Sequence, residues 1–182
     1  IEAIRVSGCA DAYFESSAAM DLQDDATILA ISLALLAVAY AIGRVVGPKV
    51  TKCETDDQRR KQRAWILTLI SSVVCGAHGV FFLGRVIKYG FGHEFSRGET
   101  VADRRVALFF LAYCIADLAT GALDYIDEID YQSGWAHHSF YGIGLCVLLY
   151  RKHTHFFMAG LIEELPTVLL AWARLAHAKE LH

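Results

Sequence analysis

No asparagine occurs anywhere in the 182 residues, so the sequence offers no acceptor for N-glycosylation. No Cys-x-x-Cys occurs either. The cysteines number five, an odd count, with Cys75, Cys114 and Cys146 inside apolar runs and Cys9 and Cys53 outside them. Neither a disulfide framework nor a zinc site is indicated. Charge is scarce: Asp, Glu, Lys and Arg make up 20% of the chain, below the quarter or so usual in soluble domains. The formal net charge of −3 gives no electrostatic footprint for nucleic acid. There is no internal repeat and no low-complexity stretch. Residues 1–25 lack the basic start and short apolar core of a signal peptide; they carry six acids against one base, Arg5. The first residue is Ile1 rather than Met, so a processed chain or a piece of a longer one is expected. A removed targeting peptide would leave no trace, and import into an organelle stays open.

What the chain has in abundance is apolar surface. Hydrophobic residues make up 55%, above the roughly 45–50% of soluble proteins. They gather in five runs: Ala26–Val46, Ala64–Gly84, Val106–Leu123, Gly134–Tyr150 and Phe156–Trp172. The first two hold 21 residues each, the second without Asp, Glu, Lys or Arg and the first with only Arg44 near its end; the last three hold 17 or 18. A hydrocarbon core about 30 Å thick needs about 20 helical residues. Trp65, Trp135 and Trp172 fall at run ends, where an aromatic belt places them. A soluble bundle of this size shows helices with a charged outer face, which the first two runs lack. The pattern predicts an all-α, polytopic transmembrane bundle of about five spans. It divides the chain into an acidic extramembrane segment (1–25), a transmembrane domain (26–175) and a tail (176–182).

Orientation is harder to read. The connection after the first run holds Arg44, Lys49, Lys52, Arg59, Arg60, Lys61 and Arg63, which places it on the cytosolic, matrix or stromal side. With five crossings the loop after the third run shares that side, yet it holds Asp124, Asp127, Glu128 and Asp130 without a base. Lys and Arg then sum to nine on one side and eight on the other. The first loop carries the vote. Gly90, Gly92 and Gly98 predict irregular structure over residues 85–105. The short link Arg151–His155 predicts that the fourth and fifth spans are antiparallel neighbours. Gly43 and Gly47 form a small-xxx-small pair that permits close helix contact.

Ionisable groups inside the runs carry the functional information, because each costs about 2.5–3.5 kcal/mol on insertion scales and needs a partner, a wet cavity or a reaction. His78 lies in the second run. Tyr113 and Asp117, four residues apart, share a helix face in the third. His137 and His138 open the fourth, with Tyr141 one turn on. Glu163 and Glu164 lie mid-way along the fifth, and Pro166 follows. Pro166 removes its own donor, strands the Ile162 carbonyl and predicts a bend near Glu163, where exposed backbone needs protein or water around it. An inward cluster of His78, Asp117, His138 and Glu164 would let these groups offset one another's insertion cost. The same cluster is equally readable as an inert polar buckle that fixes helix register.

No metal is expected. Adjacent histidines diverge by about 100° on a helix, and membrane di-iron enzymes use several histidine boxes where this chain has one pair, with Gly134 at the place of a third histidine. General-base chemistry by a histidine oriented by a carboxylate is compatible with the parts present.

At these residues the chain resembles a known family. Basic residues, Trp65 and then Cys75-Gly76-Ala77-His78 are similar to the second helix of the TLC domain, shared by translocation-associated membrane proteins, ceramide synthases and lipid-regulatory proteins. Tyr113-Cys114-Ile115-Ala116-Asp117-Leu118 resembles its Tyr-Phe-x-x-Asp-Leu helix, and Trp135-Ala136-His137-His138 its His-His pair. Glu164-Leu165-Pro166-Thr167 with Arg174 resembles its Glu-Leu-Ser-Thr segment. The likeness runs in order over about residues 60–175. It departs in three places. Ser139–Tyr150 contains no acid where ceramide synthases carry paired aspartates. Pro166 stands for the Ser and Ala171 for an Asn. The sequence ends at His182, where family members have at least one more span.

The resemblance implies an integral membrane protein of TLC-like type that contacts lipid, or serves as an accessory subunit of a larger, organellar membrane complex, without catalysis. It implies a cavity lined by His78, Tyr113, Asp117, His137, His138, Tyr141, Glu163, Glu164 and Thr167. It implies no cofactor, and membrane lipids and other membrane subunits as partners. The alternative is a ceramide-synthase-like acyltransferase with His138 as base and Asp117 or Glu164 orienting it. A proton path through the same groups ranks last, since no ring of charges marks a pore.

Overall fold

The structure is a computed structural model that describes residues 3–51, 53 and 55–176, with side chains from Gln23 onward except Ser133. The tail residues 177–182 and the side chains of the acidic N-terminal segment up to residue 22 lie outside the described part. Every regular element described is helical: α1 (Ala3–Thr51), α2 (Asp56–Tyr89), α3 (Phe91–Ser96), α4 (Val101–Asp124), α5 (His137–Arg151), α6 (His155–Met158) and α7 (Glu164–Ala176). A 3₁₀ turn (Ile126–Glu128) and a π-helical turn (Tyr131–Ala136) join α4 to α5, and a second 3₁₀ turn (Gly160–Glu163) joins α6 to α7.

Four segments are long and apolar enough to cross a membrane: Gln23–Thr51, Asp56–Tyr89, Val101–Asp124 and His155–Ala176. The remaining expected span, Gly134–Tyr150, is the 15-residue α5. It is about 22 Å long at 1.5 Å per residue, and the π-helical turn lengthens it at the N-terminus. The long helices begin outside their apolar runs because caps start them early. Thr55 and Gln58 form a capping box on α2, and Thr100 and Asp103 form one on α4; each satisfies two otherwise orphaned backbone donors. The connection expected to be irregular contains α3, bracketed by Gly90 at φ 87° and Gly98 at φ 80°, a region where residues with a Cβ are strained.

Helices α2 and α4 form the centre. Helix α1 packs against α2 and α4, α5 against α4, and α7 along α2. The short link after α5 therefore does not make α7 its chief neighbour. Lys152, in the left-handed conformation at φ 56°, turns the chain away, and a cavity walled by both α5 and α7 separates them. The core is built from Leu67, Cys75, Leu108, Phe110, Leu111 and Leu145, among others. Outward faces are apolar as well: Ile31, Leu35 and Val38 on α1, Phe140 and Ile143 on α5, and Leu169 and Trp172 on α7 are all exposed. Patches of this kind are rare on soluble monomers. They are consistent with an integral membrane location and with lipid contact.

Ion pairs mark both ends of the bundle. At one end Asp124 meets Arg63 at 2.9 Å and Arg44 at 3.6 Å, and accepts a hydrogen bond from Tyr40 at 2.7 Å. Arg60 reaches Asp127 at 3.3 Å beside them. At the other end Arg85 lies 2.9 Å from Glu94 and 3.4 Å from Asp103, and Arg104 binds Asp25 and Glu99. Arg63 and Arg85 are 22 residues apart on α2, about 33 Å of helix, close to a hydrocarbon thickness of about 30 Å.

Just upstream of Pro166, where a bend is expected, the chain runs as the 3₁₀ turn Gly160–Glu163. The backbone of this turn lies against Gly79 of α2: a Cβ there would fall 2.7 Å from the Leu161 carbonyl carbon and 2.8 Å from the Ile162 nitrogen. Gly79→Val is expected to force α7 off α2 and destabilise the bundle by about 1–3 kcal/mol, in the usual range for overpacking. Thermal unfolding in detergent, compared with the open position Gly84→Val, checks this.

Candidate functional site

Between α2, α4, α5 and the α6–α7 region lies a cavity of about 470 Å³. Each helix contributes a polar side chain at helical spacing. From α2 comes Thr68, while Ser72, one turn on and buried, is off the wall but meets the lining Glu164. Helix α4 gives Tyr113 and Asp117, four apart as expected. Helix α5 gives His137, His138 and Tyr141, and the start of α7 gives Glu164 and Thr167.

His138 is the hub. Its Nδ1 lies 3.1 Å from Asp117 Oδ2, at contact distance but outside hydrogen-bond alignment. Its Nε2 lies 3.4 Å from the Tyr113 hydroxyl, which in turn sits 3.2 Å from the Thr68 hydroxyl. Asp117 is also held from the far side: Tyr125 donates to Oδ1 at 2.8 Å and shares a 2.9 Å contact with the Thr120 hydroxyl. Burial, then the nearby Asp117 charge, pushes the Tyr125 phenol well above its ordinary pKa, so it stays the donor. Ser72 lies 3.0 Å from the Glu164 carboxyl, with its single proton shared with the Thr68 carbonyl at 2.7 Å.

His137 and His138 diverge, as the 100° step requires. His138 is buried, while His137 is exposed at the cavity wall with its ring 4.6 Å from Tyr141. Glu163 lies at the same wall. The structure thus gathers Tyr113, Asp117, His137, His138, Tyr141, Glu163, Glu164 and Thr167 around one space.

His78 is the exception to the expected cluster. It pairs with Asp103 at 3.0 Å, in the Arg85 network at the other end. Six residues beyond Ser72, it is turned about 120° around α2 and lies about 9 Å further along it. Tyr125, Thr68 and Ser72 were not anticipated. Thr68 and Ser72 had a signal, polar groups one turn apart in an uncharged run. Tyr125 had none, because it reaches the site from a connecting turn. Among the described residues no group of three or more His, Cys, Asp and Glu is placed to hold a metal ion.

No family model matches the chain, and no curated protein or solved structure matches it. The fold and site define an all-α bundle with four helices long and apolar enough to cross a membrane, arranged around a cavity lined by polar, aromatic and aliphatic side chains.

Tyr125→Phe is expected to remove a buried donor to a carboxylate and cost about 1.5–3 kcal/mol. Its thermal midpoint should fall well below that of Tyr131→Phe, a control at an exposed ring.

Proposed function

We propose that this chain is a TLC-like integral membrane protein that holds the polar end of a membrane lipid in the cavity and does not alter it covalently. The observation that carries this reading is the placement of Asp117, His138 and Glu164 around one cavity of about 470 Å³ inside an apolar bundle. That volume is within the range of small-molecule sites, about 300–1,000 Å³. Polar walls among apolar helices suit an amphiphile, which brings a polar group to the wall and leaves its chains among the outward apolar faces. The order of the motifs quoted above supports the family reading.

The geometry around His138 favours holding over chemistry. A general base must present a free nitrogen to its substrate, and Nε2 here faces the Tyr113 hydroxyl. Asp117 would orient the ring only along an aligned N–H···O line, and that alignment is missing. The exposed apolar faces of α1 and α5 suit either lipid or a neighbouring membrane subunit, and the accessory role in a larger complex belongs to the same proposal. The acyltransferase reading draws its support from the His138–Asp117 distance of 3.1 Å.

The test is native mass spectrometry and lipid extraction of the full chain purified in a mild detergent. Wild-type protein is expected to retain lipid, and Thr68→Trp, which fills the cavity, to lose most of it. Equal lipid in both would remove the holding role. His138→Ala is expected to leave the acyl-lipid pools of the expressing membrane unchanged; a changed pool would transfer the assignment to acyl transfer. A chain that stays monodisperse alone in detergent would count against the subunit role.

A further inference from the structure

The charge of the cavity wall is one-sided. Asp117, Glu128, Asp130, Glu163 and Glu164 line it, and no lysine or arginine does among the described residues. His137 and His138 are the titratable nitrogens that face these acids. Rings supply much of the remaining wall: Trp65, Phe110, Tyr113, Tyr141 and Phe157. They stand against one another, with Phe110 and Tyr141 5.9 Å apart and Tyr141 and Phe157 6.1 Å apart between ring centres. From this we infer that the cavity selects a quaternary ammonium headgroup, that of a choline lipid. The inference rests on the lipid-holding reading above and names the class of lipid.

A cation suits the site because its inner carboxylates, Asp117 and Glu164, are withdrawn from water in whole or in part, where a counter-charge offsets the lost hydration. Ring faces attract cations through their quadrupole, and desolvated aromatic cages are the usual receptors for methylated ammonium groups. Trp65 takes a cation in this way already: the Arg174 guanidinium lies 5.8 Å from its ring.

The choice of a quaternary over a primary ammonium follows from the hydrogen bonds. A buried primary ammonium brings three donors that each need an acceptor. Of the two inner carboxylates, Asp117 already accepts from Tyr125 and Glu164 from Ser72, which leaves fewer acceptor positions for those three donors. A trimethylammonium brings no donor. It needs only the field of the acids and the ring faces.

The experiment titrates the full chain, in a neutral detergent, with phosphatidylcholine, phosphatidylethanolamine and phosphatidylglycerol of identical acyl chains, read by native mass spectrometry. Phosphatidylcholine is expected to be retained about tenfold over both others, a ratio in keeping with desolvated cation–π contacts. Tetramethylammonium should displace it, and sodium at equal ionic strength should not. Tyr141→Leu and Glu163→Gln should each lower its retention several-fold. Both positions lie outside the Asp117–Tyr125 and Glu164–Ser72 contacts, and unchanged thermal midpoints would show that the bundle is intact. Equal retention of phosphatidylethanolamine overturns the quaternary assignment. Preference for phosphatidylglycerol overturns the charge argument. Either outcome leaves lipid holding in place, whereas wild-type protein that retains no lipid at all removes the reading beneath.

Discussion

An ionised side chain taken into a low-dielectric surrounding loses hydration worth several kcal/mol, and the loss must be offset where the group sits. The architecture follows from where those offsets are found. Asp124 draws Arg44, Arg63 and Tyr40 together, tying α1, α2 and the end of α4 at one rim. Asp103 draws His78 and Arg85, tying α2 to the start of α4 at the other, with Glu94 bringing in α3. The helices between these rims need only be apolar and about as long as the hydrocarbon is thick. The ion pairs also account for the ambiguous charge distribution between loops. The acids after α4 and the bases between α1 and α2 sit at the same rim because they are partners. A count of Lys and Arg alone leaves the acids out and so misses the pairing.

Backbone geometry positions the site within that frame. Pro166 removes a donor, and the preceding residues tighten into a 3₁₀ turn instead of a regular α-helical one. Such a turn is tolerable inside a bundle only if something covers it. Gly79 lets α2 approach closely enough to do so. The same approach brings the first turn of α7 against Ser72, so Glu164 meets a hydroxyl rather than hydrocarbon. A proline and a glycine 87 residues apart in sequence thus fix one wall of the cavity together.

Much of the fold is legible in the sequence because hydropathy and length are strong signals. The runs Ala26–Val46 and Ala64–Gly84, with Arg44 their one Asp, Glu, Lys or Arg, leave few alternatives to long buried or membrane-facing helices. Helix ends are less legible. Whether Thr100 starts α4 depends on its hydrogen bond to Asp103, and nothing in the apolar run announces that. Neighbour choice is not legible at all. Lipid-facing and protein-facing surfaces have the same composition, so the short link after α5 suggests a partner for α7 that the structure replaces with α2. The site divides in the same way. Tyr113 and Asp117 share a face by simple periodicity, and Glu164 follows from its depth in the run. His78 looks equivalent in the sequence, being one more ionisable group in an apolar stretch. Only its angular offset from Ser72 sends it to Asp103, and that offset has meaning once the faces of α2 are assigned.

The two buried acidic groups of this chain are neutralised by different means. Glu94 and Asp103, 2% and 0% exposed, have Arg85 between them, a permanently charged fork that can serve two carboxylates at once. Arg97 adds a second guanidinium 3.6 Å from Glu94, so that end has two permanent positive charges for its two carboxylates. The cavity has acids on its wall and no guanidinium or ammonium among its described lining residues. Its nitrogens are imidazoles, which carry charge only when protonated. A helix position facing the cavity could carry Arg as readily as position 85 does. With the acids present and arginine absent from its wall, the cavity is polarised toward whatever cation enters it. Permanent pairing gives rigidity at one end, and incomplete pairing gives receptivity at the other.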